Sequence, residues 1–290
     1  MSKLSNVSRR GFMRTAFGAG GAAVAAGAVA AGTSIRDAFG QLLKSGISED
    51  SVLAKMKKTG KLTVGYAQTK PNFYLDPKTN ELRGIFYDAT QFLGAQTEVE
   101  VEYKEVLWAN ATIGLRKGDF DLFVSSLTYT VPRALVIAYA GPIHHKGFVA
   151  VAHRDNMDRY QKVQDLNHED VTFAVTLGDA SANQIKIHFP KAKILTIQGQ
   201  LALLAEPVRT GQATAFAGGD FDAEVFTGNT DWAYVVDPEN RFDLLPNTWA
   251  CRYGDPEWKF FLDMFCNRMI STGFMKERFD AYRQELIGEA

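Results

Sequence analysis

Residues 118–133 read GDFDLFVSSLTYTVPR, and this stretch decides the fold more than any other. Its apolar run predicts a buried strand, small hydroxyl residues follow the strand, and then a Pro and an Arg open a helix. Ligands of open parallel sheets bind beyond the carboxyl ends of the strands. Arg133 therefore stands where two parallel N–H donors could match a carboxylate, although the spacing alone equally permits an ion pair with a surface Asp or Glu.

Strands alternate with helices on both sides of this stretch. In the first half of the chain we predict helices over residues 51–58, 84–93 and 109–117, ended by Gly60, Gly94 and Gly118, and strands over residues 61–66, 99–103 and 121–124. In the second half we predict strands over residues 147–152, 171–175, 194–197 and 213–217 and helices over residues 181–189 and 200–210, the latter kinked at Pro207. This order implies βαβ units, an α/β fold and a mainly parallel sheet.

The two series, joined near residues 148–153, predict two lobes. Asp255 is a predicted N-cap for a long helix with Pro256 at its first position, and a final helix follows over residues 274–286. If these helices pack on the first lobe, the chain crosses twice between the lobes, and two crossings make a hinge. The predicted division is a signal peptide (1–31), a linker (32–50), lobe 1 (51–148), lobe 2 (149–246) and a return to lobe 1 (247–290).

The composition excludes several classes of protein. The chain has 290 residues with 32 Lys and Arg against 33 Asp and Glu, and this near-neutral balance argues against a nucleic-acid binder. A hydrophobic fraction of 46% is enough to build a core, so wholesale disorder is excluded. Two cysteines and five histidines argue against a disulfide-dense scaffold and a zinc site. We therefore expect no metal and no cofactor.

The N-terminus has the composition of an export signal. Residues 1–36 contain no Asp or Glu, and a run made mostly of Ala, Gly and Val covers residues 16–31. Residues 8–13 read SRRGFM, which resembles the twin-arginine export motif. The pattern predicts a cleaved signal peptide, export by the twin-arginine translocase and a periplasmic mature protein.

Several motifs in order resemble those of the family 3 periplasmic solute-binding proteins of amino-acid ABC transporters. They are GKLTVG at 60–65, PNF at 71–73, GIFYD at 84–88, Trp108 with Leu115, Gly118 and Asp121, and TYTVPR at 128–133. The resemblance covers residues 51–283. It implies a two-lobed type II periplasmic binding protein (a venus flytrap) with two hinge crossings, which is a monomer and binds a solute without turnover.

The resemblance also implies a function. The protein would be the periplasmic substrate-binding component of an ABC importer, and it would deliver a small carboxylated solute, with a polar amino acid favoured, to an inner-membrane permease. By position, Arg133 would hold the ligand carboxylate, and Ser126 and Thr128 would add donors. Trp108 stands where an aromatic wall flanks the ligand, with ordinary core packing as a serious alternative.

The second lobe would complete this site. Residues 178–181 read GDAS and match a turn whose backbone N–H groups and side chains reach the carboxylate, which makes Asp179 and Ser181 ligand-binding candidates. In the family an Asp that binds the ligand ammonium is due at residue 219. Gly219 stands there and Asp220 follows, so either a one-residue bulge at Gly218–Gly219 turns Asp220 into the cleft or the ammonium contact is absent.

Other departures leave alternatives open. Lys70 would face the cleft and favour a ligand with a second acid group, unless it is a solvated loop lysine, which is the favoured interpretation. Asp179 could pair with Lys70 on closure or contact a cationic ligand. Cys251 and Cys266, which the resemblance places on a strand and a helix of one lobe, could form a disulfide, with two separate buried thiols as the favoured alternative.

A second function is compatible with the same fold. Some relatives resemble cyclohexadienyl dehydratases, which need a general acid in the cleft. Asp179 is the candidate for that acid in the motif segments. A binding protein, not an enzyme, remains the leading prediction.

Overall fold

The structure is a computed structural model that describes Asp37, residues 46–198 and residues 201–287. The predicted signal peptide and most of the predicted linker lie outside the described residues. The described residues from Ser48 onward belong to one compact unit. Among the described residues, no helix combines the length and apolar character needed to cross a membrane.

The first half of this unit alternates strands and helices as predicted. Its elements are α1 (Val52–Thr59), β1 (Lys61–Tyr66), β2 (Tyr74–Leu75), β3 (Leu82–Arg83), α2 (Ile85–Thr97), β4 (Glu100–Glu105), α3 (Trp108–Lys117), β5 (Leu122–Thr128) and the short α4 (Val131–Ala134). Ser51 caps α1 by accepting from the backbone N–H of Leu53, and Gly60 and Gly118 end α1 and α3 in the left-handed conformation. The predictions at these three positions are confirmed.

The second half contains β6 (Ala138–His153), β7 (Thr172–Thr176), α5 (Ser181–His188), β8 (Lys193–Ile197), α6 (Ala205–Arg209), β9 (Ala215–Gly219), α7 (Asp220–Gly228), β10 (Ala233–Val236) and β11 (Asp243–Cys251). Two C-terminal helices follow, α8 (Pro256–Ser271) and α9 (Phe274–Ile287). A 3-10 segment over Leu201–Leu204 precedes α6. The kinked helix predicted over residues 200–210 is therefore a 3-10 turn followed by a short helix, since Pro207 lacks the N–H that would continue the α-helical pattern.

The main sheet has two parallel outer parts joined by two long antiparallel strands. Its order is β4-β1-β5-β11-β6-β9-β7-β8, with β10 paired to β6. The strands β4, β1 and β5 run parallel in one part, and β9, β7 and β8 run parallel in the other. The antiparallel strands β6 and β11 connect the two parts, and β6, at 16 residues, belongs to both.

The C-terminal helices pack on the first part of the sheet. Helix α8 contacts α1 and β6, and α9 contacts α2 and α8. The chain therefore passes between the two parts at β6 and again at β11, which is the double crossing that the sequence predicted. The residue limits predicted for the lobes stay a prediction, because β6 and β11 continue on both sides of them.

Gly94 does not end a helix, which corrects the prediction. Helix α2 continues through it to Thr97 and ends at Glu98, whose φ of 54° provides the left-handed cap. A Cβ at Gly94 would lie 2.7 Å from Cγ2 of Val101. The glycine therefore allows the helix to approach β4 closely, a contact that local sequence does not reveal.

Helix α7 is a further element that the sequence analysis missed.

Asp255 joins two helices at their N-termini. Its Oδ1 accepts from the hydroxyl of Ser51 at 2.8 Å and from the backbone N–H of Trp258 at 3.0 Å, while Oδ2 accepts from the backbone N–H of Val52 at 2.7 Å. The residue is buried, at 4% exposure. One carboxylate thus caps α8, as predicted, and also fixes the start of α1.

Cys251 and Cys266 are both buried free thiols.

We expect Asp255→Ala to lower the free energy of unfolding by about 2–4 kcal/mol, because it removes three charge-assisted contacts and leaves buried donors unpaired. Denaturant unfolding of the purified protein measures this loss. Glu257→Ala removes an acid from the first turn of the same helix and should cost less than about 1 kcal/mol. Equal losses in the two variants would contradict the role assigned to Asp255.

Candidate functional site

The predicted site residues follow the carboxyl ends of strands from both parts of the sheet. Ser126 and Thr128 end β5, Asp179 lies just before α5, and Ser181 is the first residue of α5. Trp108 begins α3, Arg133 belongs to α4 and Asp220 begins α7. Because parallel strands present their carboxyl ends at one edge, the two parts of the sheet face each other across a cleft at these residues.

The cleft is closed around a cavity of about 30 Å³, which has room for about two water molecules. Its lining comes from both sides: Thr69, Trp108, Ser126, Lys146, Thr176, Asp179, Ala217, Gly218, Gly219 and Asp222. The structure thus brings Trp108, Ser126 and Asp179 together as predicted from the sequence. Lys146 and Asp222 line the same cavity and were not predicted.

Direct contacts hold the two sides together. Arg133 donates from one guanidinium nitrogen to the carbonyl of Gly178, and Asn72 Nδ2 donates to Asp222 Oδ1 at 2.6 Å. Gly178 has a φ of 84°, and a Cβ there would lie 3.0 Å from the Cα of Ala109. The turn before α5 therefore packs against the start of α3, backbone to backbone.

Arg133 spans the cleft but is not part of the cavity lining. Besides its bond to Gly178, it donates to the carbonyl of Thr128 at 3.4 Å. These contacts engage two of its five N–H donors. The guanidinium also lies close enough to Asp179 for its charge to lower the pKa of that carboxyl. Its predicted role on a ligand carboxylate stays a prediction.

The end of β5 supplies polar groups to the floor of the cleft. Ser126 Oγ accepts from Asn247 Nδ2 at 2.9 Å, which leaves the hydroxyl hydrogen of Ser126 to donate elsewhere. Thr128 Oγ1 and Asn247 Oδ1 are buried and have no hydrogen-bond partner among the described residues. Trp108 is half-buried, contacts Phe123 edge-to-face at 5.7 Å and lines the cavity. The core contact is therefore present, and its role as a wall for a ligand stays a prediction.

Asp179 and Ser181 form a local turn at the start of α5. Asp179 Oδ1 accepts from the backbone N–H of Ser181 at 2.9 Å. Burial alone would raise the pKa of Asp179, but the charge of Lys146, the hydrogen bonds from Ser181 and the charge of Arg133 together hold it below its usual value. Asp179 is therefore an ionised carboxylate between two cations.

Asp220 is not part of the cavity lining, and of the two alternatives left open by the sequence the bulge is absent. Gly218 pairs with Val149 and Gly219 with Phe148 in regular antiparallel register, so no extra residue turns Asp220 inward. Asp220 Oδ2 instead accepts from Arg241 Nε at 2.6 Å. Lys70 is also outside the cavity, on an exposed loop, with its Nζ 5.5 Å from the centre of the Tyr74 ring.

Asp222 is the buried carboxylate that faces the cavity from α7. Its side chain is 5% exposed, and its Oδ2 lies 3.9 Å from Lys146 Nζ. Burial raises the pKa of Asp222 to about 6, while the charge of Lys146 and the hydrogen bond from Asn72 act in the opposite direction. Two acids, one shifted up and one shifted down, therefore lie on the same side of the cleft.

Lys146 comes from β6, the strand shared by both parts of the sheet. Its side chain is 8% exposed, and its Nζ lies 5.1 Å from the centre of the Phe148 ring. A sequence signal for it exists: in a strand, Lys146 falls on the same face as Phe148 and Ala150, which are buried apolar residues. A lysine in phase with core residues is rarely a solvated one.

No group of three or more His, Cys, Asp or Glu among the described residues could hold a metal ion. The cavity instead combines hydroxyl groups with an ammonium and two carboxylates. Such a set can bind a small polar molecule by charge and hydrogen bonding.

Comparisons with known proteins identify the family and the fold of the chain. A sequence profile of the bacterial extracellular solute-binding proteins, family 3, matches residues 62–285. A solved ancestral amino acid-binding protein, described as a precursor of cyclohexadienyl dehydratase, is similar with 28% identity and a TM-score of 0.72, over 82% of this chain and 100% of that chain. No curated protein sequence matches the chain.

More distant solved structures share the fold. The amino acid ABC transporter substrate-binding protein AbpA from Streptococcus pneumoniae, bound to L-arginine, has 18% identity and a TM-score of 0.73 over 81% of this chain and 100% of its own. The solute receptors for L-cysteine of Neisseria gonorrhoeae have 18% identity and a TM-score of 0.72 over 81% and 94%. The chain therefore has the two-lobed fold of type II periplasmic binding proteins.

We expect a ¹³C NMR titration of the purified protein to give the Asp222 carboxyl a pKa of about 6. In Lys146→Met this pKa should be higher, because the variant removes the ammonium that lowers it. Since the folded pKa exceeds the unfolded value of 3.8, the stability that protonation of Asp222 contributes is fully present below that value and is lost as the pH rises through about 6.

Lys162→Met is the matched control, because Lys162 is exposed and pairs with Asp237. It should leave the titration of Asp222 unchanged. A lower pKa for Asp222 in Lys146→Met than in the unmodified protein would contradict the contact between the two side chains.

Proposed function

Because the chain belongs to the bacterial extracellular solute-binding proteins of family 3, we propose that it is the periplasmic substrate-binding component of an ABC importer. It holds a small carboxylated solute in the cleft between its two lobes and presents it to an inner-membrane permease. The N-terminal segment directs export through the twin-arginine pathway and is then removed. The mature protein acts as a monomer.

One observation carries the proposal: donors suited to a carboxylate converge where the two lobes meet. Thr69, Ser126, Thr176 and Lys146 line the cavity, and the guanidinium of Arg133 spans the cleft to the carbonyl of Gly178, the residue before the cavity-lining Asp179. A carboxylate gains most from such donors when closure excludes water, because charge-assisted hydrogen bonds are stronger in a low dielectric. The cleft is thus suited to binding a carboxylate that the two closed lobes shield from water.

The shared strands explain how the cleft could open. Only β6 and β11 carry the chain between the two parts of the sheet, and a small change of backbone angles in them would separate the lobes. A ligand that contacts both lobes stabilises the closed form over the open one. The permease would then recognise loaded protein by its closed shape.

Solved relatives of the same fold bind amino acids: one holds L-arginine and others are receptors for L-cysteine. A polar amino acid is therefore one candidate ligand. Its carboxylate would meet Arg133 in the same way as that of a ligand without an ammonium group.

A second candidate function is a dehydratase of the cyclohexadienyl type. One observation favours it: burial raises the pKa of Asp222, a carboxyl group in the cleft, to about 6. A carboxyl with that pKa can donate a proton near neutral pH. Incubation of the protein with prephenate or arogenate tests this function, and catalytic loss of water would favour it over transport.

We expect Arg133→Ala to weaken binding of the best carboxylated ligand by about 10- to 100-fold, because it removes a charge-assisted contact that closes over the ligand. A thermal-shift screen of amino acids, other carboxylates and amines identifies the ligand, and calorimetry measures its affinity. Arg209→Ala is the matched control, since Arg209 is exposed on α6 and pairs with Glu206. Unchanged affinity in Arg133→Ala would remove Arg133 from the site.

A further inference from the structure

The cleft contains an ammonium group that belongs to the protein itself. Lys146 enters from β6, and its stem and ammonium lie over Phe148, so that the side chain is almost wholly buried. The ammonium faces the cavity wall formed by Gly218, Gly219 and Asp222. A buried lysine head group of this kind is fixed in place, in contrast to a surface lysine that moves in solvent.

Gly219 provides the space that this side chain occupies. A Cβ at residue 219 would lie 2.6 Å from Lys146 Cε and 2.9 Å from Asp222 Oδ2. Its φ of −67° and ψ of 145° are ordinary extended values that any residue adopts. The backbone conformation therefore does not require glycine here, whereas a Cβ at this position would require the side chain of Lys146 to shift.

The carboxylates of the cleft already have partners within the chain. Asp222 lies opposite Lys146 Nζ with one oxygen and accepts from Asn72 with the other. Asp179 accepts from the backbone N–H of Ser181 and lies in the field of Lys146 and Arg133. Both acids in the cavity lining, Asp179 and Asp222, therefore already have partners within the chain and do not need a ligand cation.

A ligand that carries an ammonium group would therefore bind unfavourably in this cleft. Placed beside Asp222, it would lie against the ammonium of Lys146, and two like charges at close range in a closed cleft repel strongly. A neutral oxygen in the same place would instead accept one of the three N–H bonds that Lys146 can donate. The hydroxyl groups of Thr69, Ser126 and Thr176 can also donate to ligand oxygens.

We propose that Lys146 takes the place of a ligand's α-ammonium group, so that the cleft selects 2-oxo or 2-hydroxy carboxylates over the corresponding α-amino acids. The inference rests on the proposed function and names the ligand class of the same site. Arg133 receives the carboxylate, and Lys146 donates to the oxygen on the neighbouring carbon.

Calorimetry with matched sets of ligands tests this selectivity. Each set contains an α-amino acid with its 2-oxo and 2-hydroxy analogues: alanine with pyruvate and lactate, glutamate with 2-oxoglutarate and 2-hydroxyglutarate, and leucine with 4-methyl-2-oxopentanoate and its hydroxy form. In the set that binds best, the oxo or hydroxy acid should bind at least tenfold more tightly than the amino acid. An amino acid that binds as tightly as its analogues would overturn the inference.

Lys146→Ala should reverse the preference. It removes the donor to the ligand oxygen, so affinity for the oxo or hydroxy acid should fall at least tenfold. It also opens a space beside Asp222, so the matched amino acid should bind more tightly than it does to the unmodified protein, because its ammonium replaces that of Lys146. Loss of both ligands to the same degree would overturn the assignment.

Two further variants separate this effect from damage to the fold. Lys146→Met keeps an unbranched stem over Phe148 without the charge, and it should lose the oxo acid while its thermal unfolding stays cooperative. Lys186→Ala removes an exposed lysine of α5 and should leave both affinities unchanged. If amino acids bind and Arg133→Ala abolishes that binding, the proposed function stands and this inference falls. If no carboxylate binds any variant, the proposed function falls and takes the inference with it.

Discussion

The antiparallel pairing of β6 with β11 is the constraint on which the rest of the structure depends. These strands pair with each other and then with the strands of opposite parts of the sheet, β5 on one side and β9 on the other. The cleft therefore lies beside a continuous ladder of backbone hydrogen bonds. On the other edge of β6, its pairing with β9 sets the register of Phe148 against Gly219, and with it the residue of β9 that lies next to Lys146.

Burial acts differently on the two acids that face this lysine. Asp179 receives hydrogen bonds from Ser181 and lies near two cations, so favourable contacts exceed the cost of desolvation and its pKa falls. Asp222 receives a single amide hydrogen bond and lies near two other acids, so desolvation dominates and its pKa rises. A shared lysine thus does not shift the pKa of two carboxyls in the same direction, because the other hydrogen-bond donors and charges around each carboxyl also act on it.

Sequence patterns predicted the elements of the fold wherever the deciding interaction is local. The caps at Ser51, Gly60, Gly118 and Asp255 depend on residues within a turn of the helix end, and they are present. Gly94 was misjudged because its role is set by Val101, which lies across a helix–strand contact. The bulge at Gly218–Gly219, one of two alternatives that the sequence left open, is absent for a similar reason, since the partner strand holds both residues in register.

In the candidate site, too, local sequence patterns did not reveal the contacts between residues on different elements. Ser126 could be placed at the cleft because it stands at the end of a predicted strand, and the family resemblance placed Trp108 and Asp179 there. Asp222 lies within a helix that the sequence analysis missed, and Lys146 lies on a strand that was predicted without its polar end. Motif comparison assigns a role to a position, but the electrostatics of a cleft depend on which atoms fill a given space. At residue 219 the ordinary backbone angles would accept an acidic side chain, and the lysine of the neighbouring strand occupies that space instead. A Cβ at residue 219 and the present position of the Lys146 side chain therefore exclude each other, so a side chain at residue 219 would require the lysine to move.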